Sequence, residues 1–212
     1  LKNSVIVSGH PRSGTSITCQ LVKSAGVHFP SDYEGDEYNQ SGYYELEISK
    51  DLSKKLIQKA MTIKNTIKMN QVIEKLNATD GMSGLKLVRI PAIFFYRHVA
   101  QNLKAVFIFR NPADVKASML RRGISGFTPD WFTNNNALIA AYENIDDSIL
   151  LSYETLLTQK DKVKNLFESI GLNIDASLIK TDQRSQKHSS IVLEQREIKL
   201  YEKLKELEAK NL

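Results

Sequence analysis

Residues Gly9-His-Pro-Arg-Ser-Gly-Thr-Ser16 place two glycines at the spacing of a phosphate-cradling P-loop, G-x-x-x-x-G-K-[ST], with Thr15 where the lysine belongs. The residues before it, Ser4-Val-Ile-Val-Ser8, predict a short buried strand, and Thr15 to Ala25 predicts a helix. Strand, glycine loop and helix in that order form the context in which such a loop binds an anion. Gly9 and Gly14 let backbone N–H groups approach a ligand closely, and the helix that starts near Gly14 aims its positive end at the same point. Thr15 and Ser16 add hydroxyl donors, and Ser13 lies between the glycine and the cation Arg12. A guanidinium suits a tetrahedral oxyanion. Without the lysine, the loop fits an anion but not ordinary ATP or GTP chemistry. The bland alternative is a tight strand–helix turn that binds nothing.

Further apolar runs recur at Leu85-Lys-Leu-Val-Arg-Ile90, Ala105-Val-Phe-Ile-Phe109 and Ser148-Ile-Leu-Leu-Ser152. They are short and almost wholly apolar, as parallel strands covered on both faces are. Helical stripes lie between them. Leu46 to Ala60 places Ile48, Leu52 and Leu56 four apart; Met69, Val72, Ile73 and Leu76 form a second stripe. Leu156, Val163, Leu166, Phe167 and Ile170 form a third, ended by Gly171. Tyr201, Leu204 and Leu207 mark a last amphipathic helix, packed or partly frayed. Alternating strands and helices predict an α/β, three-layer P-loop nucleotide-binding fold, with a central mostly parallel sheet flanked by helices. The 212 residues suit a single domain spanning 1–212. Two polar stretches, Phe29 to Tyr44 and Lys180 to Ser190, read as loops.

The composition, 42% hydrophobic and 25% charged, is that of a soluble globular chain. No apolar run approaches the roughly 18 residues of a membrane span, and no signal-peptide pattern is present. A single cysteine, Cys19, permits no internal disulfide and falls on the helix after the loop, where an inert core thiol is expected. These features predict a cytoplasmic protein with no membrane partner. The net charge of +5 suits an anionic ligand. The absence of an arginine-rich tract or RNA-type aromatic motif argues against nucleic acid.

A second anion site is written in Phe109-Arg-Asn-Pro-Ala-Asp-Val-Lys-Ala-Ser118. Asn111 is a helix N-cap, Pro112 fits the first helical position and Asp114 lies in the first turn. An NTPase commonly ends such a strand with a metal-binding aspartate; here it ends in Arg110, which repels a metal and attracts an anion. Ser118, about two turns into the helix, can reach the same anion. The alternative for Arg110 is a surface ion pair. Two anion sites at two strand ends, neither with an obvious metal ligand, match a nucleotide phosphorylated at both ends of its ribose.

Together these segments resemble the sulfotransferases that use 3′-phosphoadenosine 5′-phosphosulfate. Pro11-Arg-Ser-Gly-Thr-Ser16 matches the family's P-R/K-S-G-T-[ST] loop for the 5′-phosphosulfate. Arg110-Asn-Pro-Ala-Asp-Val-Lys-Ala-Ser118 matches its R-x-P-x-D-x-x-x-S segment for the 3′-phosphate. Ser152-Tyr-Glu-Thr-Leu156 is similar to the R-Y-E-D-L segment and Leu166-Phe-Glu-Ser-Ile-Gly-Leu172 to the L-F-x-F-L-G-L helix end. Asn39-Gln-Ser-Gly-Tyr-Tyr-Glu45 and Gly84-Leu-Lys-Leu-Val-Arg89 are similar to the N-x-x-G-[YW]-[YW]-E and G-[LW]-K-D-P-R segments of a bacterial group, with Leu87 and Val88 in place of Asp and Pro. The resemblance spans roughly Val5 to Leu172.

The resemblance implies metal-free transfer of a sulfonate from that nucleotide, leaving adenosine 3′,5′-bisphosphate, to a hydroxyl or amine of a small-molecule or carbohydrate acceptor. It implies cofactor binding by Arg12, Ser13, Gly14, Thr15, Ser16, Arg110 and Ser118, with Arg184 and Lys187 closing over the 3′-phosphate unless their loop is merely solvated. Arg12 would stabilise the departing charge and Lys86 would contact the sulfonate. The acceptor's proton needs a general base. Glu45 is the first candidate; its alternative is an exposed charge at the start of the following helix. Glu34, Glu37 and His10 remain possible, whereas His98 reads as structural. Tyr33, Tyr38, Tyr43, Tyr44, Phe127 and Trp131 are candidates to line an acceptor cleft or to sit in the core. The rival functions are a P-loop nucleotide or small-molecule kinase and a nucleotide-binding module without transfer activity.

Overall fold

Four apolar strands form one parallel sheet in the order β2-β1-β3-β4, where β1 is Asn3–Ser8, β2 Ser83–Leu87, β3 Asn102–Phe109 and β4 Ser148–Ser152. The computed structural model describes residues 1–35, 42–58, 61–180 and 191–212. Side chains alternate across the sheet, as the pleat requires. Val5, Val7, Val106, Ile108 and Leu151 face one layer. That layer is built by α1 (Thr15–Ser24), α7 (Tyr153–Thr158) and α8 (Lys160–Ser169). Ile6, Ala105, Phe107, Phe109 and Leu150 face the other. It holds α2 (Glu47–Leu56), α3 (Ile63–Asn77), α4 (Ile93–Val99), α5 (Pro112–Leu120), α6 (Trp131–Tyr142) and α9 (Gln195–Ala209). The architecture is therefore α/β: a central parallel sheet flanked by helices on both faces.

The strand order positions the site. From β1 the chain moves to one neighbour, β2, and then crosses back to the other, β3. Such a reversal leaves a crevice at the carboxyl ends of β1 and β3, where open parallel sheets bind ligands. Gly9 follows β1 and Arg110 follows β3, so both predicted anion segments open into that crevice.

Two boundaries differ from the sequence expectation. The run from Leu85 to Ile90 is a strand only to Leu87. Beyond it Asn134 of α6 substitutes for a neighbouring strand: its Nδ2 donates to Val88 O at 2.8 Å, and its Oδ1 accepts from Ile90 N at 3.0 Å. The stripe from Leu156 to Ile170 is two helices, broken where Gln159 leaves helical geometry (φ −126°, ψ 58°). The end at Gly171 matches expectation: Leu172 N bonds Phe167 O at 3.0 Å and Gly171 N bonds Glu168 O at 2.8 Å, which closes the last turn of α8. Neither α4 nor α6 was visible as a stripe. Cys19 is fully buried, and burial pushes its thiol up to about 12, so it is the inert core thiol expected. Among the described residues, no helix is long and apolar enough to cross a membrane.

Candidate active site

The glycine loop is held by packing that only glycine permits. A Cβ on Gly9 would lie 2.3 Å from Ile108 O, and one on Gly14, whose φ is 95°, would lie 2.5 Å from the Tyr153 ring. The loop is tied to the sheet through Ser8 Oγ, which donates to Leu87 O at 2.8 Å, and is closed on itself by Ser13 N, which donates to His10 O at 3.1 Å. No side chain caps α1 and its first turn holds no acid. Its N-terminal N–H groups have no intrahelical acceptor, and a helix start left uncapped in this way favours an anion. Ser13 Oγ is buried and makes no hydrogen bond among the described residues.

Arg12 joins the two predicted segments. It adopts the left-handed region (φ 69°). That backbone places its Nε 3.1 Å from Ser118 Oγ and its carbonyl 3.2 Å from an Arg110 nitrogen. Asn111 caps α5 by accepting from Ala113 N at 2.9 Å, and Pro112 follows it. This start fixes Arg110 at the mouth of the crevice, where its guanidinium lies over the Tyr153 ring at 4.5 Å and 3.8 Å from Asp114. Burial, then the charges of Arg122 and Arg110, hold the Arg12 pKa below the ordinary guanidinium value. It remains a cation, as guanidinium does in proteins. Three arginines thus converge where the sequence placed two.

The other edge of the loop meets β2. Lys86, almost fully buried, donates to Ser16 Oγ at 3.0 Å and to Tyr43 O at 2.9 Å, and pairs with Glu45 Oε1 at 2.9 Å. The second oxygen of Glu45 lies 3.5 Å from Lys50 Nζ. Glu45 therefore reaches the loop through Lys86 rather than standing as a free charge at the start of α2.

The remaining candidates fall elsewhere. Glu34 is exposed. Glu37, Tyr38, Arg184 and Lys187 lie outside the described residues. His10 is buried against Phe127 and contacts Pro11 O, and burial lowers its pKa to about 4. His98 is exposed in the last turn of α4, next to the start of β3 and so at the amino ends of the strands, away from the crevice. Trp131 and Tyr44 belong to the core, Tyr43 and Tyr33 contact Lys86 and Lys50, and Phe127 lines a surface cleft.

Sequence reasoning missed Arg122 and Tyr153 as site residues. Tyr153 had a signal, its place in the segment after β4. Arg122 had none: it lies in the turn after α5, and only the nine-residue length of that helix brings it near Arg12. Glu154, next to Tyr153, is pushed above the usual carboxylate range by burial, an effect that Arg110 opposes.

No family model matches the sequence. No curated protein matches it. Among solved structures, the sulfotransferase domain of the olefin synthase of Synechococcus PCC 7002 superposes with a TM-score of 0.62 at 18% identity, over 97% of this chain and 94% of that one. Two retinol dehydratase structures, one with retinol and PAP and one with androsterone and inactive cofactor PAP, give TM-scores of 0.46 and 0.45 at 16% and 17% identity. Those two alignments cover 83% of this chain and 62% of each retinol dehydratase chain. By its fold the chain is sulfotransferase-like.

Proposed function

We propose that the chain is a sulfotransferase that binds 3′-phosphoadenosine 5′-phosphosulfate in the crevice between β1 and β3. It would pass the sulfonate, without a metal, to a hydroxyl or amine of a small-molecule or carbohydrate acceptor. The observation that carries this reading is Arg12: its side chain bonds Ser118 and its carbonyl bonds Arg110, so the two anion segments form one surface. Three converging guanidiniums, an uncapped α1 and glycines packed to the limit fit a ligand with phosphates at both ends of its ribose. Gly14, Thr15 and Ser16 would hold the 5′ end with Arg12, while Arg110 and Ser118 would hold the 3′-phosphate. Ser13 would add a buried hydroxyl. Arg184 and Lys187 belong to this proposal as cover for the 3′-phosphate.

When bound, the nucleotide supplies a sulfonate activated by a phosphate leaving group. Arg12 and the N-terminus of α1 offer fixed donors where negative charge would build, the arrangement that lowers such barriers most. Arg12 is too weak an acid to be the proton donor, so its part is electrostatic. Lys86, held by Glu45 and Ser16, presents its ammonium to the sulfonate end. Glu45 accepts the proton that the acceptor hydroxyl must lose.

Thermal unfolding with adenosine 3′,5′-bisphosphate tests the nucleotide site. At about a hundredfold excess over Kd, binding stabilises a fold by about 2.7 kcal/mol, a shift of roughly 5–10 °C for a chain of this size. That shift should appear with the bisphosphate and not with ATP and magnesium, and Arg110→Ala should abolish it. A shift with ATP and magnesium alone would instead mean a kinase. Glu45→Gln should keep the bisphosphate shift and lower kcat by roughly 10²–10⁴; full activity would remove Glu45 as the base.

A further inference from the structure

A cleft of about 270 Å³ opens between the C-terminal end of α2 and the turn at residues 126–128. Lys54, Ile57, Gln58, Arg89, Phe127 and Thr128 line it, together with Gly126. Arg89 follows β2 by two residues and is fixed in place: its Nε donates to Thr128 O at 3.1 Å and its guanidinium lies 4.5 Å from the Phe127 ring centre. The same arginine walls a small crevice with Glu45 and Lys86, and the Glu45 charge acts on it. The cleft therefore adjoins the end of the site where the sulfonate would be delivered. Among the described residues its lining holds two cations, an amide and an aromatic ring but no carboxylate. Lys54 is exposed at the rim and makes no ion pair among the described residues.

We infer that this cleft receives the acceptor, and that the acceptor carries an oxyanion of its own which Arg89 and Lys54 clamp. Phe127 would cover an apolar part of the same molecule, leaving its hydroxyl toward Glu45. This inference rests on the reading of Glu45 and Lys86 as the transfer end. The lining contains two cations and a single aromatic ring, which is poorly matched to a wholly apolar alcohol. A guanidinium fixed by a backbone carbonyl and an aromatic face is preorganised for a carboxylate or sulfate.

Ligand-observed NMR on the full chain, with and without adenosine 3′,5′-bisphosphate, tests it using two matched pairs of probes. The pairs are 4-hydroxybenzoate with 4-hydroxybenzamide, and methyl glucuronide with methyl glucoside. The anion of at least one pair should bind about tenfold more tightly than its neutral twin, and salt should erode the difference. Arg89→Gln with Lys54→Gln should reduce the preference to near parity. Lys54→Gln alone, at an exposed position, should reduce it partly and keeps the test valid if the double variant fails to fold. Equal binding within both pairs, no binding of any probe, or a preference that survives both substitutions would overturn the inference. Anion preference without a bisphosphate shift would sink the nucleotide reading and leave the anion cleft standing.

Discussion

Arg12 concentrates the conflict between fold and function. Its φ of 69° is the left-handed region, which glycine enters without strain and other residues do not. Arg12→Gly should therefore be more stable than Arg12→Ala, by about 1 kcal/mol in urea unfolding. Both should lose the bisphosphate shift, because both lose the guanidinium. Equal stabilities would mean that the loop relaxes when the side chain is cut. His10 carries a different signature. Its pKa in the fold is about 4, below the ordinary value, so between the two values the unfolded chain binds more protons than the folded one. Stability from this residue is complete above the unfolded pKa and is lost as pH falls from about 6.5 toward 4. Lowering pH from 7 to 5 should cost wild type about 2 kcal/mol more than it costs His10→Asn. The same unfolding free energies in both proteins at both pH values would refute a buried neutral histidine. At this scale the sequence was most legible where spacing carried the chemistry, as for Arg12, Arg110 and Ser118. It was silent on Arg122, whose approach to Arg12 depends on where a helix ends.

Among the elements, α9 was legible as an amphipathic helix but not as a clamp. Of its stripe, Leu204 is buried and Tyr201 and Leu207 are half-buried, with Leu200, outside the stripe, buried beside them. Two of its glutamates are buried as well, and no apolar pattern announces those. Glu208 accepts from Ser152 N at 2.6 Å, at the carboxyl end of β4, and pairs with Lys205. Glu197 pairs with Lys116 of α5 at 2.6 Å and completes the capping box of α9. The helix thus ties the ends of β4 and α5, the elements that present Tyr153 and Ser118. Glu208→Ala leaves the buried Ser152 N–H unsatisfied, while Lys205 keeps its bond to Ser152 Oγ, so urea unfolding should show a loss of about 1–3 kcal/mol. Glu208→Gln keeps an acceptor oxygen and should lose less. Equal losses would mean that the side chain is held by packing rather than by its bond to Ser152. The break between α7 and α8 was illegible for a related reason. Leu156 and Val163 are seven residues apart, two helical turns, so the apolar stripe runs in phase across Gln159. α6 escaped because two positions of its buried face are polar: Asn134 and Asn135 lie between Trp131 and Leu138 and interrupt the apolar stripe.

The whole molecule follows from one property of parallel sheets: both faces must be covered. Short apolar runs alternating with helical stripes were enough to read the α/β class, because those runs have no polar face. The order of the strands was not readable from them, yet the order creates the crevice where Arg12 and Arg110 meet. The two cores share only the sheet, Val5 and Val7 pointing into one and Ile6 into the other. If the chain is a single cooperative unit, damage to either core must be felt in both. Trp131, the one tryptophan, is buried in the core on the α6 side. Val163 of α8 is buried in the opposite core. Val163→Ala removes two methyl groups and leaves a small cavity, a loss of about 2 kcal/mol. Tryptophan fluorescence reports the far face, and far-ultraviolet circular dichroism reports the helices of both. The variant's urea midpoint should fall equally by the two probes, although Trp131 lies across the sheet from the change. A fluorescence midpoint that stays at the wild-type value while the dichroism midpoint falls would show two layers unfolding independently. The crevice between β1 and β3, which takes Tyr153 from one layer and Ser118 from the other, would then open before the chain unfolds.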